Sequence, residues 1–393
     1  MTQPIKLVIA GGKTGGHLFP GIAVAQTVQQ ICSDAEIHFI GTDAPFETQT
    51  LSAYGYDHTP ISAKPIQGKG MLDKAKAAAA VGISTAQALA ALIRMRPDFV
   101  LGVGGFSSFS VVLAARILGI PNAIQEQNAF PGMTNRMLAK FTRAIFTGFE
   151  ETRGFSQHPR TVFTGNPVRI AGPGQPLPSL DDTGANPLPD IDRDSVLPGA
   201  GENDFILLVT GGSQGATSIN QAMVQALPEL AKLDGLYIVH QTGIRDEKEV
   251  QDAYKRHSIP SRVAAFFQEM PWIQDLAHLA VCRSGAGTVS ELCLKGLPAI
   301  LIPFPHAADD HQTWNARAMA DQGAGHWIPD PELDAPALVD LIKNLKTNPD
   351  LLTQMADKAR QMGMPQAALA IARHIIHTRK EIPETCEAQH VSN

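Results

Sequence analysis

Cysteine is scarce in this chain of 393 residues: Cys32, Cys282, Cys293 and Cys386 show neither CxxC nor metal-ligand spacing. That excludes a disulfide scaffold, and reduced thiols of a cytosolic protein are expected. Positive charge is not in excess either. The formal net charge is −6, which argues against bulk nucleic-acid binding, since that needs a basic face. The apolar run after Lys6 is too short for a signal peptide. A clean membrane span is also missing. The best stretch, AAAAVGISTAQALAALI at 77–93, is uncharged but diluted by Gly, Ser, Thr and Gln. It falls short of the ~18–20 apolar residues a crossing needs. A helix lying on a lipid surface stays open.

What is present is ordinary for a globular protein, with 44% hydrophobic and 18% charged residues. At about 150 residues per domain, the length predicts two domains, or three at most. The runs KLVIA, EIHFIG, FVLGV and AIFTG read as buried strands, and helical spacing falls between them at 22–31 and 110–118. The alternation stops at 170–203, where Pro, Gly and Asp dominate and a linker or long loop is expected. It restarts with FILLVT, LYIVH, VAAFF, LAVC and AILI. Strands alternating with helices imply parallel sheets. The expected fold is α/β: two Rossmann-like parallel-sheet domains, 1–169 and 204–364, facing a cleft. A last helix over 365–380 is expected to pack back on the first domain, followed by a loose tail from 381.

The loop AGGKTGGHLFPG, directly after the first strand, suggests a phosphate site. An ATP-binding P-loop ending at Gly12-Lys13-Thr14 needs a glycine at position 7, which is Leu7. A dinucleotide fingerprint fails as well: from Gly12 it meets Thr14 where the second glycine belongs, and from Gly102 it meets Ser107 in place of the third. What remains is a glycine-rich strand-to-helix turn that lets backbone approach a ligand. Pro20 suits the first position of the following helix, whose N-terminus favours an anion. His17 stands at that turn. The alternative is that the glycines only allow tight packing and His17 is a surface residue.

The stretch CRSGAGTVSELCLKGLPAILIPFPHAADDHQTWNA, 282–316, holds a third such turn. Backbone N–H groups at its helix start can meet a pyrophosphate, and Glu291 lies where a carboxylate can accept both hydroxyls of a ribose. Thr288-x-x-Glu291 is equally a capping box, with both side chains spent on the helix end. The two readings stand level on this stretch alone.

The motifs GGKTGGHLFPGIAVA, GVGGF, QEQNAFPGMTNR, GNPVR, TGGSQGA, RSGAGTVSE and PFPHAADDHQTWNA occur in this order. Together they resemble the MurG family, peptidoglycan glycosyltransferases that add N-acetylglucosamine to lipid I. The resemblance runs from about Lys6 to the last helix and skips the linker. It implies a GT-B fold, with UDP-N-acetylglucosamine as donor, bound mainly by the C-terminal half. The implied acceptor is lipid I, the membrane-anchored undecaprenyl-diphosphate muramyl pentapeptide, whose C4 hydroxyl takes the sugar with inversion to a β link. It further implies a peripheral protein at the cytoplasmic face of the bacterial inner membrane.

Carried over by motif, the resemblance implies that Thr14, Gly15 and Gly16 line the donor-sugar and acceptor side. Asn128 would bond the donor sugar, while Arg169 and Ser213 would meet its diphosphate. Ala286, Gly287, Thr288, Val289, Ser290 and Glu291 would supply backbone donors and the ribose contact. Gln312 would hold a sugar hydroxyl, and the backbone near Phe267 would meet uracil. Five features depart from the family pattern: Lys13 for a small residue, Phe106 for Tyr, Gln125 for a frequent His, Phe267 for a smaller aliphatic, and the long linker.

No cofactor or metal is expected. Asp190-Ile191-Asp192 matches the D-x-D string that holds Mg²⁺ in other transferases, but it lies in the linker and reads as chance. Helix N-termini and Arg169 can neutralise the leaving diphosphate in its place. An inverting transfer needs a base, and His17 is the candidate; binding the acceptor diphosphate as a cation is its other role. Lys69, Lys74, Lys76, Arg94 and Arg96 flank the apolar helix that includes 77–93, which either meets lipid with Met71, Leu72 and Ile83 or packs by its Ala face inside the domain. Two other readings remain: another GT-B UDP-sugar enzyme (a glycolipid synthase or an epimerase), and a non-catalytic UDP-sugar-binding module.

Overall fold

The structure, a computed structural model, describes residues 4–12, 14–63, 71–169, 172–175, 177 and 192–380, without the side chains of 71–77 and 380. Lys13, Lys69, Asp190, Ile191, half of the 170–203 linker and the tail from 381 lie outside the described residues. So do the side chains of Met71, Leu72, Lys74 and Lys76.

The first compact unit comprises Met1–Gln127, Pro131–Gly184 and Pro365–Asn393. Its strands are β1 (Lys6–Ala10), β2 (Glu36–Gly41), β3 (Asp57–Pro60), β4 (Phe99–Gly102), β5 (Asn122–Glu126), β6 (Ala144–Thr147) and β7 (Thr161–Phe163). They form one sheet in the order β3-β2-β1-β4-β5-β6-β7, parallel throughout. Both faces of such a sheet are covered, which is why KLVIA is apolar without alternation. Its pleat sends Leu7 and Ile9 into one core, and Val8 and Ala10 into another on the opposite face.

The helices are α1 (Gly15–Ile31), α2 (Pro45–Ala53), α3 (Met71–Met95), α4 (Phe106–Ile117) and α5 (Met133–Leu138). Helix α3 turns Ala88, Ala91 and Leu92 into the core beside α4, and Ser84 Oγ meets Ser110 Oγ at 2.6 Å. Among the described residues, its Ala78–Met95 portion is the one stretch apolar and long enough to cross a membrane by length and composition. Ala88, Ala91 and Leu92 anchor it on the domain, while most of the Ala78–Met95 portion is not buried. Its other face exposes Ile83 (58%) and Ile93 (59%).

The second unit comprises Asn128–Phe130 and Ala185–Met364. Strands β8 (Phe205–Thr210), β9 (Leu236–Gln241), β10 (Ser261–Ala264), β11 (Leu279–Cys282), β12 (Ala299–Leu301) and β13 (Gly325–Trp327) lie in the order β10-β9-β8-β11-β12-β13, again all parallel. Helices α6 (Arg193–Val196), α7 (Thr217–Leu230), α8 (Glu247–Arg256), α9 (Met270–Leu276), α10 (Ala286–Lys295), α11 (His311–Ala320), α12 (Ala335–Thr347) and α13 (Pro349–Met362) connect and cover them. The last helix, α14 (Ala367–Lys380), belongs to the first unit. It packs on α1, buries Ile371, Ala372 and Ile375 in the core beneath β1, and sets Arg379 Nε 3.6 Å from Asp98.

Two local expectations need correcting, and one strand went unread in the sequence. Helix α1 begins at Gly15, so Pro20 sits inside it rather than at its first position. The glycines Gly15 and Gly16 therefore form the first helical turn instead of a preceding loop. In VAAFF only Val263 and Ala264 belong to β10, because its ladder with β9 ends at Ala264 opposite Gln241. Central strand β5 ends in Gln125 and Glu126, both buried, and so lacks the apolar run that marks its neighbours.

One buried group predicts an acid response. His240 is fully enclosed, with Nδ1 3.0 Å from the Tyr254 hydroxyl and Nε2 3.0 Å from Asn220 Oδ1. Burial pushes its pKa from 6.5 down to about 3. The unfolded chain takes up this proton below its ordinary value while the fold refuses it, so stability falls as pH drops through the window from 6.5 to about 3. This single group contributes at most ~1.4 kcal/mol per pH unit. In urea titrations across that window, His240→Gln should show a shallower loss than the wild type; equal slopes contradict the assignment.

Candidate active site

In each sheet the strand order reverses direction at one point, between β1 and β4 and between β8 and β11. Ligands of such folds bind outside the carboxyl ends of the strands at this switch point. The glycine-rich turns lie there in both units.

In the first unit, backbone meets backbone. Gly11 has φ +114° and a Cβ on it would stand 2.0 Å from the Gly104 carbonyl oxygen. Gly104, at φ +101°, lies under the His17 ring, and a Cβ there would come 2.8 Å from Nδ1. Thr14 precedes α1 in an extended conformation, and its carbonyl accepts from His17 N at 3.1 Å and Leu18 N at 3.0 Å. Its exposed hydroxyl makes no bond to the helix end. A Cβ on Gly15 would touch Phe19, whereas one on Gly16 would meet nothing within 4 Å. Packing thus accounts for Gly11, Gly15 and Gly104 but not for Gly16.

His17, half-buried, holds its Nδ1 3.1 Å from Gln127 Oε1. Gln127 Nε2 in turn bonds the Val103 carbonyl at 2.8 Å. The neighbouring Glu126 is buried, and its Oε2 accepts from Gly132 N at 3.0 Å and Asn135 Nδ2 at 2.8 Å, which shapes the loop of the QEQNAFPGMTNR motif. Arg169 belongs to this unit, exposed, with its guanidinium 5.2 Å from the Phe19 ring centre.

In the second unit, α10 starts at Ala286 with Gly285 as its capping residue and no side-chain cap. The capping box is therefore not formed: Thr288 is inside the first turn, and Glu291 accepts from Gln274 Nε2 at 3.4 Å. The amides at 285–288 have no carbonyl one turn earlier in the helix to bind. Val289 N bonds Gly285 O at 3.0 Å, Val289 is buried, and Ser290 Oγ bonds Ala286 O at 2.9 Å. Backbone donation to a ligand is thereby narrowed to the residues before Val289.

Gln312 and Asn128 come to this same turn. Ser284 Oγ donates to the Gln312 carbonyl at 2.8 Å, and Gln312 Oε1 accepts from Phe304 N at 2.9 Å, which leaves Nε2 as the atom able to donate to a sugar hydroxyl. Asn315, for which the sequence offered no role, joins the parts: Nδ2 donates to Ser284 O and to Asn128 Oδ1, each at 3.1 Å, and Oδ1 accepts from Ala129 N at 2.9 Å. Phe130 stacks on Trp314 beside it. Ahead of α11, Asp309 and Asp310 both hold φ +53°, a strained pair of the kind that gathers at functional sites.

The GGSQGA turn exposes Ser213 at its tip. Gly215, at φ +72°, approaches the Thr242 carbonyl so closely that a Cβ would stand 2.0 Å from its oxygen. Buried Gln241 ties this turn to the Phe267 loop: Nε2 donates to Gly212 O at 3.1 Å, and Oε1 accepts from Phe267 N at 3.0 Å. With that N–H committed, the Phe267 carbonyl is the backbone group it can offer a base. Gln241 and Gln127 were not singled out from sequence, where buried glutamines at strand ends carry no local signal.

Two further groups have structural explanations. The Asp192 carboxylate caps α6 by accepting from Asp194 N at 3.3 Å. Cys282 and Cys293 are buried thiols pushed up to about 12 by desolvation, hence unreactive at neutral pH. No cluster of three or more His, Cys, Asp or Glu suited to a metal occurs among the described residues.

The chain matches the N-terminal domain of glycosyltransferase family 28 over residues 7–147 and the C-terminal domain of that family over 206–371. The UDP-N-acetylglucosamine–N-acetylmuramyl-(pentapeptide) pyrophosphoryl-undecaprenol N-acetylglucosamine transferase of Myxococcus xanthus is 40% identical over 369 residues, which is 94% of this chain and 91% of that one. The transferase of the same name from Geobacter sulfurreducens is 41% identical over 379 residues, 96% of this chain and all of its own. Among solved structures, MurG of Acinetobacter baumannii superposes with a TM-score of 0.75 at 29% identity, covering 95% of this chain and 100% of that one.

The glycine geometry yields a stability test. Gly11→Ala must shift backbone at a positive φ and should cost about 1–3 kcal/mol or more. Gly16→Ala meets open space inside a helix and should gain up to ~1 kcal/mol. Urea unfolding that ranks the two the other way contradicts the assigned roles.

Proposed function

The chain belongs to glycosyltransferase family 28, and we propose that it transfers N-acetylglucosamine from UDP-N-acetylglucosamine to the muramyl pentapeptide carried on pyrophosphoryl-undecaprenol, lipid I, giving lipid II for peptidoglycan. The observation that carries this reading is likeness along almost the whole chain, both domains included, to enzymes named for that transfer. It is a GT-B enzyme by its two parallel-sheet domains.

In this reading the second unit binds the donor. Amides at 285–288 and the α10 dipole aim positive charge at the diphosphate, where negative charge grows as UDP leaves. Arg169 and Ser213 add donors. Glu291 accepts from the ribose, Gln312 Nε2 and Asn128 hold the sugar, and the Phe267 carbonyl meets uracil. The acceptor C4 oxygen forms its bond to the anomeric carbon as the carbon–oxygen bond to the β-phosphate breaks and that electron pair departs with UDP. Attack opposite the leaving group gives the β link. The hydroxyl proton passes to the His17 imidazole, with Thr14, Gly15 and Gly16 shaping the space around it.

The acceptor's lipid calls for a membrane surface, and we assign that role to the outer face of α3. It exposes Ile83 and Ile93, and its C-terminal end carries the exposed Arg94 with Arg96 just beyond, an apolar face with a basic end that suits an anionic lipid interface. The protein is then peripheral, on the cytoplasmic face of the inner membrane.

With labelled UDP-N-acetylglucosamine, label should move to lipid I and not to diacylglycerol. Transfer to diacylglycerol alone would make it a glycolipid synthase, and donor binding without turnover would make it a sugar-nucleotide-binding module. His17→Ala should lower kcat by about 10²–10⁴ while donor Kd stays within about twofold; an unchanged kcat removes His17 from the role of base. Ile83→Gln with Ile93→Gln should weaken binding to anionic liposomes by about tenfold or more, and undiminished binding moves the lipid contact elsewhere.

A further inference from the structure

We infer that Gln127 is a positioning residue that fixes the tautomer of His17, holding the ring proton on Nδ1 and presenting the Nε2 lone pair to the acceptor hydroxyl; this rests on the reading of His17 as the base.

The argument starts from an amide whose orientation is forced. Gln127 follows β5 and is only 1% exposed. Its side chain lies 2.8 Å from the Val103 carbonyl oxygen, an atom that can only accept, so the nearer atom must be the NH₂ group. The second N–H of that group points at Gln125 Oε1. Gln125 in turn donates through Nε2 to Asn166 Oδ1 at 3.1 Å. Both protons of Gln127 are thereby committed, and its Oε1 is left facing His17 Nδ1 at 3.1 Å.

An amide oxygen has no proton to give, so Nδ1 must donate. A neutral imidazole carries a single N–H, and the lone pair is consequently on Nε2. Gly104 supports this placement from below: its missing Cβ leaves room for the ring edge at Nδ1 and Cε1. When Nε2 receives the hydroxyl proton, the imidazolium Nδ1–H bond to Gln127 becomes charge-assisted and stronger, which favours the state formed during transfer. Gln125, where the family pattern frequently has His, makes the relay behind Gln127 an amide chain that cannot titrate.

The test reads the tautomer directly. In protein labelled with ¹⁵N-histidine, the ring signals of His17 are assigned by their loss in His17→Gln. The wild type should show the neutral form protonated at Nδ1. Gln127→Leu, which removes the acceptor, should shift that signal toward the Nε2-protonated form usual for free histidine. It should also lower kcat by about 10²-fold with KM for UDP-N-acetylglucosamine within about twofold. Gln127→Glu, protonated on the oxygen that faces the Val103 carbonyl, keeps an acceptor oxygen toward Nδ1 and should retain the Nδ1-protonated signal. A wild-type signal protonated at Nε2 overturns the inference, as does an unchanged kcat in Gln127→Leu. Failure of the base reading looks different: the Nδ1-protonated signal stays, while His17→Ala keeps full kcat.

Discussion

The site depends on main-chain atoms meeting where a side chain would block them. At the switch point of the first sheet, Gly11 leans on the Gly104 carbonyl; at that of the second, Gly215 leans on the Thr242 carbonyl. Parallel strands that leave a sheet in opposite directions open a crevice at their carboxyl ends. Only residues without Cβ allow the following turns to close over that crevice and start a helix at once. The start of α1 and the turn at 211–215 exist in their present form because of those contacts.

From this constraint the two units diverge in chemistry. The second unit offers backbone: uncapped amides at the start of α10, with Gln312, Asn315 and Asn128 tied together around Ser284. Such an arrangement of donors and acceptors suits an anion and a polyhydroxyl group. The first unit offers a single imidazole, set on Gly104 and bonded to a buried amide. On our proposal, the fixed dipoles at the start of α10 serve the leaving group and the His17 imidazole serves the nucleophile, the two demands of sugar transfer.

Much of this was legible in the residues. Buried parallel strands are continuous apolar runs, so KLVIA, FILLVT and LAVC announced themselves, and the glycine turns that follow marked the ligand ends. Other features were hidden for physical reasons. Strand β5 carries polar side chains inward because they build the amide relay, so its pattern does not resemble a strand. Pro20 suggested a helix start, yet its ring is accommodated inside α1, and the true start lies at the glycines. Thr288 and Glu291 have capping-box spacing, but only the observed start at Ala286 decides that their side chains are not spent on the cap. The pairings of Gln127 with His17, and of Asn315 with Asn128, join residues far apart in sequence, and no local pattern encodes them.

The claim at the centre is that the donor's diphosphate is held by backbone amides of the second unit, not by the Gly-Lys-Thr loop that first suggests a phosphate. Hydrogen–deuterium exchange with and without UDP-N-acetylglucosamine tests it at the amides concerned. The account predicts slowed exchange at 285–288 and 211–215, with 11–17 little changed. Protection confined to 11–17 would contradict it.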